Sequence, residues 1–233
     1  MLSFEGKNYW QFLLHVMHDL HTSLCCVGAF TYLLRHDKGR PMMSYDEWCN
    51  VLDRFEEGYG KLQTKVNGLI DLAYYNTVEE LERQDKVLVN ELCRDMAGRQ
   101  DVKVLYLSDI PDHYAVTSNK TALKKVLEIL LRHATTRVIE RKDDSRERLV
   151  YLNVTERGTE GQLTFAVSDT GELPTPEENQ RYLNPPADTD VKKVSTVTEV
   201  YNCRLLVSLL GGFAYVDPDY KNGRRVIFSI AVQ

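Results

Sequence analysis

The sequence has no long apolar run, no cluster of basic residues and no pair of cysteines with Cys-x-x-Cys spacing. The first absence predicts no membrane-spanning helix, because such a helix needs about 20 consecutive apolar residues. The second argues against a nucleic-acid-binding surface, as does the formal net charge of -5. Five scattered cysteines favour reduced, mostly packed thiols, and charged residues interrupt the apolar ones near the N-terminus. We therefore expect a cytoplasmic protein without a signal peptide.

Apolar residues recur in alternating steps of three and four over two segments of the first third of the chain. The first segment predicts one long helix over Phe4–Arg35, which ends at the breaker cluster Asp37–Pro41. The second begins at Ser44, with Glu47 three residues later as in a capping box. Two matched seams joined by a short loop predict an antiparallel helical hairpin. Because one hairpin cannot bury both seams, we expect two copies to form a four-helix bundle in a homodimer.

The remaining two thirds predict an α+β region, with one mixed sheet and helices on one of its faces. A further helical stretch is expected over Val78–Met96, and Glu172–Val194 reads as a long loop because it contains several prolines and many polar residues. Asn119 is expected to cap a helix. The predicted helices are Thr121–Arg137 and Val197–Leu210, and the predicted strands are Val102–Leu107, Tyr114–Thr117, Leu149–Thr155, Leu163–Ser168, Phe213–Val216 and Arg225–Val232.

A histidine lies beside the seam of the first predicted helix, in the segment FLLHVMHDLHTSL over residues 12–24. This segment resembles the phosphoacceptor box of two-component histidine kinases, which typically reads F-x-x-x-x-S-H-E-L-R-T-P-L. The resemblance implies that His18 accepts a phosphoryl group, that Asp19 orients the imidazole ring and that Thr22 helps to position water for dephosphorylating a response regulator. An imidazole nitrogen is a good phosphoryl acceptor near neutral pH. The family's Arg and Pro are replaced here by His21 and Ser23.

Two other interpretations of this histidine remain. His18 can be an exposed helix residue without a role. A metal site through His15, His18 and His21 is disfavoured, because steps of three residues fan the side chains around a helix and do not make them converge.

The second half resembles the ATP-binding domain of the same family. Leu123–Thr136 resembles its asparagine box, but Ile129 and His133 stand where the family has asparagines. Val167–Pro174 resembles a glycine box and keeps Asp169, which in the family accepts a hydrogen bond from adenine, and Gly171. No glycine remains over Val197–Val200, where the next glycine box is expected, and Glu199 adds a negative charge near the place of the phosphates.

The resemblance implies a fold of a dimeric four-helix bundle followed by an α/β-sandwich of the histidine kinase/Hsp90-like ATPase type. Its domains would be a phosphotransfer hairpin over 1–77, a helical linker over 78–100 and a degenerate ATPase domain over 101–233. Candidate nucleotide residues are Asp169, Gly171 and His133. No cofactor is expected unless the protein is an active kinase, which would need ATP and magnesium.

Three functions follow from these resemblances. The first is phosphotransfer, or response-regulator phosphatase activity, through His18 with an impaired nucleotide site. The second is an active ATP-dependent kinase that phosphorylates His18, and the third is a non-catalytic pseudokinase that acts by dimerising. The expected partners are a second copy of the chain and the receiver domain of a response regulator.

Overall fold

The computed structural model describes residues 20–21, 24–25, 27–29, 31–32, 44–79, 81–143, 146–156, 161–184 and 194–232. The chain divides into two compact units. The first comprises Met1–Ala73 and Pro185–Thr198, and the second comprises Tyr74–Asn184 and Glu199–Gln233. Among the described residues, no helix is long and apolar enough to cross a membrane.

The first unit contains most of the predicted second helix, α1, which spans Tyr45–Thr77. Its capping box forms as expected: the Ser44 backbone N–H donates to Glu47 Oε2 at 2.7 Å, and the Glu47 backbone N–H donates to Ser44 Oγ at 3.3 Å. The described residues between 20 and 32 are also helical. The rest of the predicted first helix lies outside the described residues.

The second unit is built on a five-stranded mixed sheet with strand order β2-β4-β5-β7-β6. Only β2 and β4 pair in parallel, and every other neighbouring pair is antiparallel. The α+β class predicted from the sequence is therefore confirmed. The strands are β1 Asp85–Leu88, β2 Val104–Ser108, β3 Ala115–Ser118, β4 Val150–Thr155, β5 Gln162–Asp169, β6 Ala214–Val216 and β7 Arg225–Ala231. The helices are α2 Val89–Gly98, α3 Lys120–Glu140, α4 Pro176–Tyr182 and α5 Val194–Leu209.

Helix α3 supplies much of the core of this unit. It begins as predicted, because the Asn119 side chain accepts a hydrogen bond from the Ala122 N–H at 2.8 Å. One face of this helix is buried, and its members include Leu123, Val126, Leu127, Leu130 and Leu131. In the sheet beneath, the rings of Phe165 and Phe228 stack at 4.7 Å between centroids. These side chains form one continuous apolar core.

Two predictions of secondary structure are wrong. The expected helix over Val78–Met96 is broken by strand β1, which pairs antiparallel with β3 in a separate two-stranded sheet. The predicted single sheet is thus two sheets. The pairing buries Val87 while both of its neighbours stay exposed, a period-two pattern that a helical reading of this segment overlooks.

The expected loop over Glu172–Val194 contains helix α4. Its proline, Pro176, lies in the first helical turn, where the missing N–H has no intrahelical partner to lose. Thr175 caps the helix, since its Oγ1 accepts from the Glu178 N–H at 3.2 Å and Glu178 Oε2 accepts from the Thr175 N–H at 3.0 Å. The proline was therefore a sign of where a helix starts. Residues 185–193 of the expected loop lie outside the described residues.

The described cysteines carry no disulfide. Cys93 and Cys203 are buried, and burial raises the pKa of the Cys93 thiol to about 12. Cys25 is exposed and Cys49 is half-buried, so the expectation of packed thiols holds for two of these four.

Candidate functional site

The predicted phosphoacceptor group, His18, Asp19 and Thr22, lies outside the described residues. Its neighbours Leu20 and His21 are helical, and the His21 side chain is exposed. The roles assigned to these three residues by resemblance therefore stay predictions. The residues of the second predicted site, around Asp169, are all described by the structure.

Asp169 ends strand β5, and its side chain is 3% exposed. One carboxylate oxygen, Oδ1, accepts hydrogen bonds from the backbone N–H groups of Gly171 at 2.8 Å and Arg224 at 3.3 Å. The other oxygen, Oδ2, accepts from Nε of Arg137 at 3.1 Å. A buried carboxylate is stabilised only when it is paired and hydrogen-bonded. Each of these partners belongs to the same chain, so Asp169 fastens β5 to α3 and to the start of β7.

Gly171 and Gly223 lie close to this carboxylate for a steric reason. A Cβ atom on Gly171 would be 2.8 Å from Asp169 Oδ1 and 3.2 Å from the Cβ of Arg137. A Cβ atom on Gly223 would be 2.2 Å from the Asp169 carbonyl oxygen, and Gly223 has a φ of +150°. Close approach of the backbone requires glycine at both positions. The structure therefore brings the candidate residue Gly171 together with Asp169 and adds Gly223.

His133, the third candidate, lies on α3 and faces α5. Its Nε2 atom is 3.1 Å from Glu199 Oε2, and Nη2 of Arg132 reaches the same oxygen at 2.6 Å. Burial acts to raise the pKa of Glu199, but the hydrogen bond from His133 and the charge of Arg132 outweigh it and hold that pKa below its ordinary value. The negative charge noted at Glu199 in the sequence is therefore compensated by its neighbours.

An aromatic and cationic pair, which the sequence did not reveal, lies next to these groups. The Arg224 guanidinium lies 4.0 Å from the centroid of the Tyr182 ring, and its Nε donates to Asn179 Oδ1 at 3.1 Å. The ring of Tyr182 meets that of His133 edge-on, 6.3 Å between centroids. Burial raises the pKa of Tyr182 to about 12, so its hydroxyl stays protonated at neutral pH. The Thr175 capping box, which places α4, was the available signal for these residues.

Together these side chains form a network linked by ion pairs and ring contacts, with its polar groups directed at one another. Arg137 completes it, because its guanidinium bonds both the Asp169 carboxylate and the backbone oxygen of Glu172. No group of three or more His, Cys, Asp or Glu side chains in the described part of the chain is arranged to hold a metal ion. The arrangement is suited to hold helices α3, α4 and α5 in place against strands β5 and β7.

No protein-family model matches the sequence, and no curated protein matches it. Solved structures do match. ThkA in complex with the response regulator protein TrrA is 16% identical, over 96% of this chain and 61% of that one, with a TM-score of 0.70. Full-length ShkA in complex with AMPPNP is 15% identical, over 96% of this chain and 46% of that one, with a TM-score of 0.62. AdeS of Acinetobacter baumannii is 14% identical, over 93% and 97%, with a TM-score of 0.59.

The chain therefore has the fold of a sensor histidine kinase core. It spans less than half of the ShkA chain and 61% of the ThkA chain. The resemblance that the sequence motifs indicated is confirmed at the level of the fold, and so is the helix-and-sheet architecture of the ATPase type.

Proposed function

We propose that this chain is a two-component signalling protein that exchanges a phosphoryl group between His18 and the aspartate of a response-regulator receiver domain. Its ATPase-type domain serves as a scaffold and does not act as a kinase. The observation that carries the second part is the ion pair of Asp169 with Arg137. The resemblance gives Asp169 the adenine amino group as its partner, whereas here the carboxylate is engaged by Arg137, Gly171 and Arg224.

The phosphate side of the region supports the same proposal. Magnesium prefers oxygen ligands in octahedral geometry, and His133 replaces the asparagine that the resemblance assigns to the metal. The carboxylate nearest to His133 is Glu199, which already binds Arg132 and His133. These residues do not fit a magnesium–nucleotide complex, and the proposed function therefore includes no phosphoryl transfer from ATP.

Phosphoryl exchange through His18 needs no nucleotide. The imidazole nitrogen attacks the phosphorus of the receiver's aspartyl phosphate, the new P–N bond forms, and the aspartate carboxylate leaves with the electrons of the broken P–O bond. The ThkA structure is a complex of a histidine kinase with a response regulator, and this supports a receiver domain as the partner. Reversal of the same step would load the regulator.

A homodimer is part of this proposal. On α1, the large apolar side chains of Leu52, Tyr59 and Val66 are 50%, 52% and 38% exposed, and they recur every seven residues. A seven-residue repeat places them on one stripe of the helix, as in coiled coils and helical bundles. An exposed stripe of this kind favours packing against a second copy.

The proposal is tested by mixing the purified chain with receiver domains phosphorylated by acetyl phosphate and detecting acid-labile phosphate on the chain. We expect transfer to the wild type, none to His18→Ala, and normal transfer to His21→Ala, which removes an exposed histidine three residues further along the sequence. Transfer from ATP and magnesium would instead establish the active kinase. Absence of any transfer, with signalling unchanged in His18→Ala, would favour the non-catalytic pseudokinase.

A further inference from the structure

The opposite face of the five-stranded sheet carries a second group of polar residues. Along β4 and β5, alternate residues such as Leu152 and Val167 are buried beneath the helices, and the residues between them point to the other face. Strand register places Tyr151 beside Ser168, and Ser168 beside Arg225. These three side chains therefore form one row across the outer face.

This row lines a cavity of about 250 Å³, which we name the outer-face cavity. The residues that line it include Tyr151, Asn153, Ser168 and Arg225 on the strands, together with Arg146 and Tyr220 from the adjoining loops. The described residues that line it include two arginines and no acidic side chain. The lining is thus cationic although the chain as a whole carries a net charge of -5.

Three polar atoms around the outer-face cavity are buried without a hydrogen-bond partner among the described residues. They are Asn153 Oδ1, Ser168 Oγ and Arg225 Nε. Ser168 is 1% exposed. Burial raises the pKa of Tyr220, and the Ser168 hydroxyl lowers it to a smaller extent. The geometry between the two hydroxyl groups is nevertheless not that of a hydrogen bond. Native proteins rarely leave such atoms unpartnered, and three around one cavity point to something that binds there.

The Arg225 guanidinium is held in place for such binding. It lies 4.2 Å from the centroid of the Tyr220 ring, and its Nη1 atom is 3.5 Å from Asp217 Oδ2. The stacking fixes the plane of the group, while the ion pair is long and uses one nitrogen. Nε of this cavity-lining residue is buried and has no hydrogen-bond partner among the described residues.

We propose that the outer-face cavity binds a small oxyanion that also carries a hydroxyl group, of which hydrogen phosphate is the simplest. The anionic oxygens would accept from Arg225 Nε, and the ligand hydroxyl would donate to Asn153 Oδ1, with Ser168 Oγ able to serve in either role. The volume corresponds to roughly eight water molecules at about 30 Å³ each, so it suits a ligand well below drug size. This proposal does not depend on the function proposed for His18.

The test is a titration of the full chain with inorganic phosphate at constant ionic strength, followed by amide NMR shifts. We expect saturable shifts at Asn153, Ser168 and Arg225. Ser168→Ala should weaken phosphate binding about tenfold, since it removes one hydrogen bond to a charged ligand. Arg225→Gln should weaken it more. Arg99→Gln, which removes the same charge from the residue after α2, should leave the dissociation constant unchanged.

A parallel titration with sulfate tests the hydroxyl group, because sulfate has the same shape and charge but no proton to donate near neutral pH. We expect sulfate to bind at least about tenfold more weakly. Non-saturable shifts, equal shifts with sulfate, or an equal loss in Arg99→Gln would each overturn the proposal. Ser168→Ala removes a buried polar atom that has no partner, so this variant is expected to fold and keeps the test decisive if Arg225→Gln does not.

Discussion

Ser168 and Asp169 are neighbours at the end of β5, yet their side chains lie on opposite faces of the sheet and differ in their hydrogen bonding. On the helix-covered face, the Asp169 carboxylate has an ion pair and two backbone donors. On the outer face, the Ser168 hydroxyl is buried and has no hydrogen-bond partner in the part of the chain that the structure describes. A polar group whose bonds are all made within the chain serves the fold, whereas one left without bonds costs free energy. The buried polar groups around Asp169 can thus be structural, while the outer face of the sheet holds the candidate for binding.

The strongest test of this comparison is Asp169→Ala. The substitution removes the acceptor of two buried backbone N–H groups and the carboxylate partner of the half-buried Arg137, so we expect the free energy of unfolding to fall by about 3–5 kcal/mol. Urea denaturation measures it. Asp112→Ala, which removes an ion pair with Arg94 between side chains 78% and 57% exposed, is the control and should have a much smaller effect on stability. A loss at Asp169 no larger than at Asp112 would contradict a structural role for this carboxylate.

Gly171→Ala should have the next largest effect. The added Cβ would lie 2.8 Å from Asp169 Oδ1 and 3.2 Å from the Arg137 carbonyl oxygen, so the network must shift. We expect a loss of about 1–3 kcal/mol in the free energy of unfolding, measured by thermal or urea denaturation. The matched control is Gly98→Ala, where a Cβ atom meets nothing within 4 Å. Equal stability of the two variants would show that the glycine is not required by the network.

The pH dependence of stability tests the contact between α3 and α5. Because the pKa of Glu199 is lowered in the folded protein, its contribution is fully present above the ordinary value of 4.5 and is lost as the pH falls through the folded value. Glu199→Gln should therefore be less stable than the wild type at pH 7, by on the order of 1 kcal/mol. The gap should close in acid. A gap that stays constant with pH would mean that the negative charge has no part in the contact with His133 and Arg132.

The sequence predicted the core of this fold because its signals were local. The Asn119 cap, the apolar face of α3 and the alternation of β4 and β5 each depend on residues within one element. Strand β1 was missed because it is defined by pairing with β3, which is distant in the sequence. Helix α4 was missed because prolines were read as loop signals, although Thr175 and Glu178 form a capping box around Pro176.

The candidate site was predicted only in part, for a related reason. The motif around Asp169 and Gly171 identified two neighbouring residues, but the partners of the carboxylate come from α3 and from the start of β7. Spacing along the chain does not reveal that Arg137 and Arg224 meet at one residue. The outer-face cavity was missed altogether, since its residues alternate with core positions on three strands and share no motif.

Ser168→Ala is the smallest expected change, and its sign is opposite to that of Asp169→Ala. Removing a hydroxyl that is buried without a partner relieves a desolvation cost, so we expect the free energy of unfolding to stay the same or rise by up to about 1 kcal/mol in phosphate-free buffer. In saturating phosphate the order should reverse, because a ligand that binds only the folded state stabilises it, and the wild type binds more tightly. Thermal denaturation of both proteins with and without phosphate measures this crossing. Destabilisation by Ser168→Ala in both buffers would mean that the hydroxyl stabilises the folded protein. Ser168 would then resemble Asp169, and the contrast between the two faces of the sheet would be contradicted.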